Sequence, residues 1–364
     1  MWQLYGQDHI LRQLESALTA DHLSHAYLLV GPPHVGKMTL ALNLAQSVNC
    51  LEGPGVPCGA CTQCSRIAAG HHADVRIVAV GRRETSGDSD DGSGRADTRA
   101  DTRPDTNEAA RPAQSTVIHI DDVRDVLHQV NLKPFEGSRI VVIFDGAESL
   151  SEAAANALLK TLEEPPPQVL VLLLTTNEEY LPSTILSRCQ RLVLLPLSQI
   201  QLAERLVADH QAGAEEAARL ARLSRGCLGW AIGALEDPQV LEQREAELDR
   251  LREACEAGLS LRFGYATELA TLFSKDREAT IQLLYLWLRW WRDLMLIKEG
   301  VQEFVTNEDQ LSELSLQATQ LTTGRIVQVI KSLIHTIDAL DHNANPRLTL
   351  EALMVGLPRM KAQI

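Results

Sequence analysis

One stretch near the start of the chain narrows its possible folds more than any other. An apolar run, Leu28 to Val30, opens into Gly31-Pro32-Pro33-His34-Val35-Gly36-Lys37, and Leu40, Leu42, Leu44, Ala45 and Val48 then recur at helical spacing. The order strand, glycine loop, helix is the skeleton of a phosphate-binding loop. Glycines let backbone N–H groups face an anion, Lys37 supplies a positive charge, and the helix amino terminus adds its dipole. The bland alternative is a glycine turn that merely opens a helix. The Ser or Thr that should follow the lysine to hold Mg2+ is replaced by Met38, a thioether with no affinity for a hard cation, and Thr39 points elsewhere on the helix. ATP or ADP binding is therefore expected to involve Gly31, Gly36, Lys37 and Thr39, while hydrolysis lacks one of its usual groups.

The following sequence alternates between strand and helix. A strand is predicted at Val75 to Val80, a helix at Ile120 to Val130 capped by Asp121 or Asp122, and a strand at Arg139 to Phe144. A helix from Ala153 to Glu163 is stopped by Pro165-Pro166-Pro167, Val169 to Leu174 is an unbroken apolar strand, and Arg191 to Leu195 closes at Pro196. Such alternation predicts an α/β fold with a parallel sheet covered on both faces. Between the first two elements the composition changes to Ser, Gly, Asp, Thr and Arg, and Ala96-Asp97-Thr98-Arg99 is repeated at Ala100-Asp101-Thr102-Arg103. With too little apolar surface to offset its ordering entropy, the segment from about 84 to 116 is expected to be a disordered insertion. After Pro196 the pattern is wholly helical, and the stripe Leu283, Leu284, Leu286, Trp287, Trp290, Trp291, Leu294 is read as a bundle core rather than a stacking site.

Three further patterns carry chemistry. Ile140-Val141-Val142-Ile143-Phe144-Asp145 ends in an acidic residue suited to ordering Mg2+, but the position that should hold a water-activating carboxylate is Gly146, and Glu148 lies two residues further on. Cys50-x7-Cys58-x2-Cys61-x2-Cys64 offers four thiolates to one ion. Tetrahedral, structural Zn2+ fits, the alternative being free or redox-active thiols; His71 and His72 are not needed. Ser187-Arg188-Cys189 places an arginine just before the last predicted strand, read either as a surface residue paired with a carboxylate or as an arginine finger.

At 364 residues the chain is expected to form two or three domains. A net charge of -14 gives no basis for nonspecific attachment to nucleic acid, so any DNA contact is local or shared with partners. No basic recognition helix is present, nor a spaced carboxylate set for two-metal polymerase or nuclease chemistry. The start lacks a secretory pattern, and Ile281 to Ile297 is broken by Arg289, Arg292 and Asp293; no membrane segment is expected and the cytoplasm is the expected location.

Taken together, Gly31 to Lys37, the four cysteines, the run Ala153 to Pro166 containing Leu158-Leu159-Lys160-Thr161-Leu162-Glu163-Glu164-Pro165-Pro166, Thr175-Thr176-Asn177 and Ser187-Arg188-Cys189 resemble the bacterial clamp-loader AAA+ proteins. The resemblance implies a RecA-like AAA+ domain at 1–196 carrying the zinc module (50–64) and the insertion, a helical lid at 197–237, and a helical collar at 238–364. It further implies that Arg188 completes a neighbour's ATP site in trans, that Thr176 or Asn177 occupies the sensor-1 region, that Asp145 and Asn177 join the nucleotide site, and that Gly6-Gln7 lie near the adenine side. The implied assembly is a hetero-pentamer with gamma/tau and delta subunits that places the beta clamp on primed DNA within the DNA polymerase III holoenzyme. Met38 and Gly146, together with Gly229 where gamma-like proteins carry a sensor-2 arginine and Arg225 out of register, favour the delta-prime branch, with its ATP site degraded. So does the similarity of Asp341 to Leu348 to that branch's collar. Retained Lys37 and Asp145 support the alternative, a gamma/tau-type ATPase, and a zinc-binding scaffold with a vestigial pocket is a third reading.

Overall fold

A computed structural model describes residues 2–80, 117–130, 132–342 and 344–360; the insertion expected at about 84–116 lies outside the described residues. The first part builds α1 (Asp8–Thr19), β1 (Ala26–Val30), α2 (Lys37–Asn49), α3 (Thr62–Ala68), β2 (Val75–Ala79), α4 (Ile120–Val130), β3 (Ile140–Asp145), α5 (Glu152–Glu163), β4 (Val169–Thr175), α6 (Ser183–Leu186) and β5 (Gln190–Val193). All strand pairs are parallel, in the order β2-β3-β4-β1-β5. This is the expected α/β fold. Because the chain runs from β1 to one side, toward β2, but from β4 to the other, across β1 to β5, a crevice opens between β1 and β4 at the carboxyl ends of the strands, where ligands bind in such sheets.

Side-chain alternation explains why the sheet is covered twice. Along β4 every residue is buried: Leu170, Leu172 and Leu174 enter a core with α1 and α2, while Val169, Val171 and Leu173 enter a second core with α4 and α5. Strand β1 divides likewise, Tyr27 and Leu29 against Ala26 and Leu28. The helix at Ile120–Val130 has the expected limits, and of the two candidate caps Asp122 reaches back to the N–H of His119 at 3.0 Å. Helix α5 begins one residue earlier than expected because Ser151 accepts the N–H of Ala154 at 3.2 Å. The last strand stops short of Leu195, whose backbone is taken by Gln7: Nε2 donates to the Leu195 carbonyl at 2.6 Å, and Oε1 accepts its N–H at 3.3 Å.

Beyond Ser198, which caps α7 (Gln199–His210) with Gln201 in a reciprocal box, the described residues form only helices and turns. Helices α7, α8 (Ala214–Ser224) and α9 (Leu228–Glu236) share a small core of Leu202, Leu206, Leu220 and alanines. Helices α10 (Gln239–Glu256), α11 (Leu259–Lys275), α12 (Arg277–Lys298), α13 (Leu311–Gln320), α14 (Thr323–Asp341) and α15 (Pro346–Gly356) form a bundle around Trp287, Trp290 and Trp291, all at most 1% exposed. The tryptophan stripe is therefore core, as read from its spacing. Buried in the same bundle, Arg262 donates to four carbonyls, those of Cys255, Met354, Leu357 and Pro358, at 2.8–3.1 Å. Its charge is placed against the carboxyl ends of α10 and α15, where the helix dipoles favour a cation.

Contacts also link distant parts of the chain. Arg219 of α8 pairs with Glu245 and Asp309, and Arg222 with Glu308. Tyr180, in the turn after β4, donates its hydroxyl to Asp341 at the end of α14 at 2.9 Å and stands edge-on to His342. Among the described residues, no helix is long and apolar enough to cross a membrane.

Candidate nucleotide and metal sites

The glycine loop sits at the carboxyl end of β1, tied down by the Gly31 N–H donating to the Thr175 carbonyl at 3.2 Å. His34 and Gly36 both take left-handed backbone conformations, and the N–H groups of Val35 and Gly36 have no hydrogen-bond partner among the described residues, leaving them free for an anion. Lys37 folds back over the loop: its ammonium donates to the carbonyls of Gly31 at 2.6 Å and Pro32 at 2.9 Å. Burial lowers the pKa of Lys37, and the charges of Glu148 and then Asp145 oppose that. A phosphate entering here would draw the ammonium away from two carbonyls. Met38 packs against the apolar core, and Thr39 is half-buried in the first turn of α2.

Asp145 ends β3, as the sequence suggested, and stands beside β4 in register with Leu174. Although part of the residue is exposed, partial desolvation of its carboxyl raises its pKa, with Lys37 pulling it down and Glu148 adding to the rise. Gly146 follows at φ +77°, a conformation that suits glycine, and starts a single 3-10 turn over Ala147–Ser149. The turn brings Glu148 back over the strand ends. Its Oε1 accepts the Thr176 hydroxyl at 2.7 Å and the Thr176 N–H at 3.2 Å, while Oε2 is shielded from solvent with no hydrogen-bond partner among the described residues. Spacing alone left Glu148 without a role; the structure makes it the second carboxylate of this crevice. The pair Asp145-Gly146 was the available signal, since glycine permits the backward turn. Asn177 is occupied within its own turn, accepting the N–H of Glu179 at 3.0 Å.

The start of α9 rests directly on the loop. Gly229 donates its N–H to the His34 carbonyl at 3.0 Å, and a Cβ on Gly229 would lie 3.0 Å from that oxygen, so a side chain here requires the loop to give way. Gly6 and Gln7 meet the segment after β5: Gly6 lies against Leu197, and Gln7, 1% exposed, holds Leu195, a packing role visible in the structure.

Arg188 is not brought to this loop. Gln190 pairs with Tyr27 and Val193 with Val30. Arg188 thus precedes the amino end of β5, whereas Lys37 follows the carboxyl end of β1. About 10 Å of strand separates the levels of Gln190 and Val193, and the loops at either end add to that. The Arg188 guanidinium instead donates to Glu163 at 2.7 Å, to the Thr184 carbonyl at 2.8 Å and to the Ser187 hydroxyl at 3.2 Å.

The four cysteines converge as their spacing predicted. Cys50 follows α2, and the sulfurs of Cys50, Cys58, Cys61 and Cys64 all lie within 4.8 Å of one another. A tetrahedral ion about 2.3 Å from each sulfur sets neighbouring sulfurs about 3.8 Å apart; Cys58 and Cys64 are 3.9 Å apart. The donor set therefore fits a metal with soft-ligand preference. Cys61 caps α3 and Cys64 lies in its first turn, so the last two ligands are set by the start of a helix. Donation from the Cys61 N–H to Cys58 at 3.3 Å and from the Cys64 N–H to Cys61 at 3.5 Å favours thiolates. Against its slight burial, such donors hold the Cys61 thiol down at about 6, while burial pushes Cys64 up to about 12.

Comparison with known proteins matches this organisation to a family. The family model described as DNA polymerase III, delta subunit, matches residues 6–198, and one described as DNA polymerase III, delta subunit, C terminal, matches residues 239–358. The delta' subunit of DNA polymerase III from Bacillus subtilis is 26% identical over 351 residues, covering 96% of this chain and 96% of that protein. The tau subunit from Escherichia coli is 33% identical over 234 residues, 63% of this chain, of which the chain spans only 31%. A solved structure of a DNA polymerase III gamma-subunit-related protein from Thermotoga maritima overlays 95% of this chain and 99% of its own at 19% identity and a TM-score of 0.41. With more than half of its length matched by the first of these models, the chain belongs to the DNA polymerase III delta subunit family.

Proposed function

We propose that the chain is the delta-prime subunit of a DNA polymerase III clamp loader, helping to place the beta sliding clamp on primed DNA during replication and offering Arg188 to a neighbouring subunit's ATP. The observation that carries this reading is the position of Arg188. It lies at the amino ends of the strands, away from the chain's own loop at their carboxyl ends, so it does not serve the chain's own nucleotide and is free, in this reading, to serve one held by another subunit. The division of labour follows from the chain's own crevice. Met38 lies at the position usual for a Mg2+-holding hydroxyl, and Lys37 is satisfied by loop carbonyls. Gly31, Gly36, Lys37, Thr39, Asp145 and Asn177 would line any ATP or ADP bound here. End-to-end similarity to a delta' subunit favours this branch over the gamma/tau-type ATPase, whose relatives share only a fraction of their length with the chain.

In this reading residues 1–196 form the AAA+ domain, 197–237 the lid and 238–364 the collar, through which the subunits join as a cytoplasmic hetero-pentamer with gamma/tau and delta. Cys50, Cys58, Cys61 and Cys64 hold a structural Zn2+, which when bound supplies folding energy to the 50–64 module rather than chemistry. The test is ATP turnover by the purified chain alone, then mixed with gamma-type and delta partners, clamp and primed DNA. No turnover alone and activity on mixing that falls at least tenfold in Arg188→Ala are expected; turnover by the chain alone that Lys37→Ala abolishes would instead identify a gamma-type motor.

A further inference from the structure

We propose that Glu163 is the residue that positions Arg188, a role that rests on the reading of Arg188 as the arginine offered in trans. The sequence presents the two as parts of separate motifs, 25 residues apart, and the fold brings them together at 2.7 Å. Each stands on an anchored base. Glu163 is the last residue of α5, directly after Leu162, which is 2% exposed and whose carbonyl contacts the His25 ring at 3.0 Å. Arg188 follows α6, held by fully buried Ile185, whose carbonyl accepts the Arg188 N–H at 3.0 Å.

The guanidinium has five N–H donors in a fixed plane. Nη1 uses both of its hydrogens on Thr184 and Ser187, and Nη2 uses one on Glu163. Two acceptors on one nitrogen and a third on the other define both the plane and its rotation, and they leave Nε–H and one Nη2–H for an incoming phosphate. Without Glu163 both contacts on Nη1 come from the arginine's own turn, and among the described residues nothing beyond that turn fixes its aim.

Orientation is favoured over sequestration by the exposure of the pair. The side chains are 33% and 51% exposed, and ion pairs in that setting change an equilibrium only about two- to fivefold, too little to withhold an arginine from a phosphate that binds it bidentately. A pre-oriented guanidinium reaches a developing charge without reorganising, so the effect falls on the maximal rate and not on assembly.

The experiment uses the full chain reconstituted with tau/gamma- and delta-type subunits, clamp and primed DNA, measuring ATP turnover at saturating ATP and the chain concentration giving half-maximal activity. Glu163→Ala is expected to lower the maximal rate about two- to fivefold with that concentration unchanged. Glu163→Gln, which keeps an oxygen acceptor toward Nη2, is expected to recover most of the rate, and Glu163→Ala added to Arg188→Ala to change nothing further. If Arg188→Ala lowers turnover but Glu163→Ala does not, positioning is refuted and the trans arginine stands; if Arg188→Ala has no effect, the trans reading itself fails. A faster Glu163→Ala loader, a glutamine variant as slow as the alanine one, or a further loss in the Arg188→Ala background would each overturn the proposal.

Discussion

Arg262 is the most demanding single residue in the helical bundle, and its replacement by Met tests the account of how that bundle is closed. The side chain is 4% exposed, and burial lowers its pKa, the nearby Cys255 acting in the other direction. Its four acceptors are backbone carbonyls at the carboxyl ends of α10 and α15, the nearest being Leu357 at 2.8 Å. Methionine fills comparable space but donates nothing, leaving the carbonyls of Met354, Leu357 and Pro358 to find other partners, while that of Cys255 keeps the Met360 N–H at 2.9 Å. At about 1 kcal/mol per bond, below the usual range for a charged donor because the guanidinium's own desolvation is recovered, the loss is about 4 kcal/mol. Lysine, a point charge with three donors, should restore about half of this. Urea unfolding followed by tryptophan emission suits the question, since Trp287, Trp290 and Trp291 lie in the same core. With a slope of about 2 kcal/mol/M, the midpoint of the bundle transition should fall by about 2 M in Arg262→Met. A shift of less than about 0.5 M at unchanged slope would mean that water satisfies these carbonyls as well as the arginine does, and the argument for a buried clasp would fail.

Two other outcomes follow from the first part of the chain. Elemental analysis should find one zinc per chain, lost in Cys64→Ala or after strong chelation with a lower melting temperature; a full-length chain equally stable with and without metal would remove the structural role. Asp74 is 5% exposed and accepts the N–H groups of Phe135, Glu136 and Gly137 at 2.7–2.8 Å; burial raises its pKa, but these bonds outweigh it and hold the carboxyl below its usual range. Its stabilising contribution is therefore complete above the unfolded value of about 3.9 and is lost as pH falls through the lower folded value. Asp74→Ala should cost about 2–3 kcal/mol at pH 7 and flatten the acid limb of the stability profile, measured by urea titration at stepped pH; an unchanged acid limb would refute it.

Much of the sheet was legible because each strand reports its own burial. In Val169 to Leu174 an unbroken apolar run has only one sensible place, the middle of a covered sheet, and β4 is central with both faces covered. The cysteine spacing was equally direct, since an ion needs four nearby sulfurs and the chain supplied them within fifteen residues. What sequence periodicity does not carry is strand order. That Arg188 and Lys37 stand at opposite ends of the sheet follows from parallel strands alone, one preceding β5 and the other following β1; what no local pattern specifies is that β5 lies directly beside β1. Glu148 was hidden for a different reason, because its approach to Thr176 depends on a backward turn at Gly146 rather than on spacing along a strand. Helix α3 was obscured by the turn-forming Pro57 and Gly59 just before it, and the contact between Tyr180 and Asp341, 161 residues apart, has no sequence signature.

That last contact alters the mechanics of the whole chain. Three bodies strung on two linkers would swing like a jointed arm. Here the outer two also touch, through Tyr180 and Asp341, with Arg277 at the head of α12 donating to the Asp341 carbonyl at 2.9 Å, while Arg219 and Arg222 brace the middle body against the third. An arm whose ends are joined becomes a triangle, and a triangle cannot bend at one corner without straining the opposite side. Burial and then Asp341 push the Tyr180 phenol up to about 12, so at neutral pH the hydroxyl keeps the proton it donates to Asp341. Yet one exposed hydrogen bond is worth only about 1 kcal/mol, a factor of about five between closed and open. At that balance the frame favours the closed form yet opens under thermal motion, and a load of a few kcal/mol suffices to hold it open.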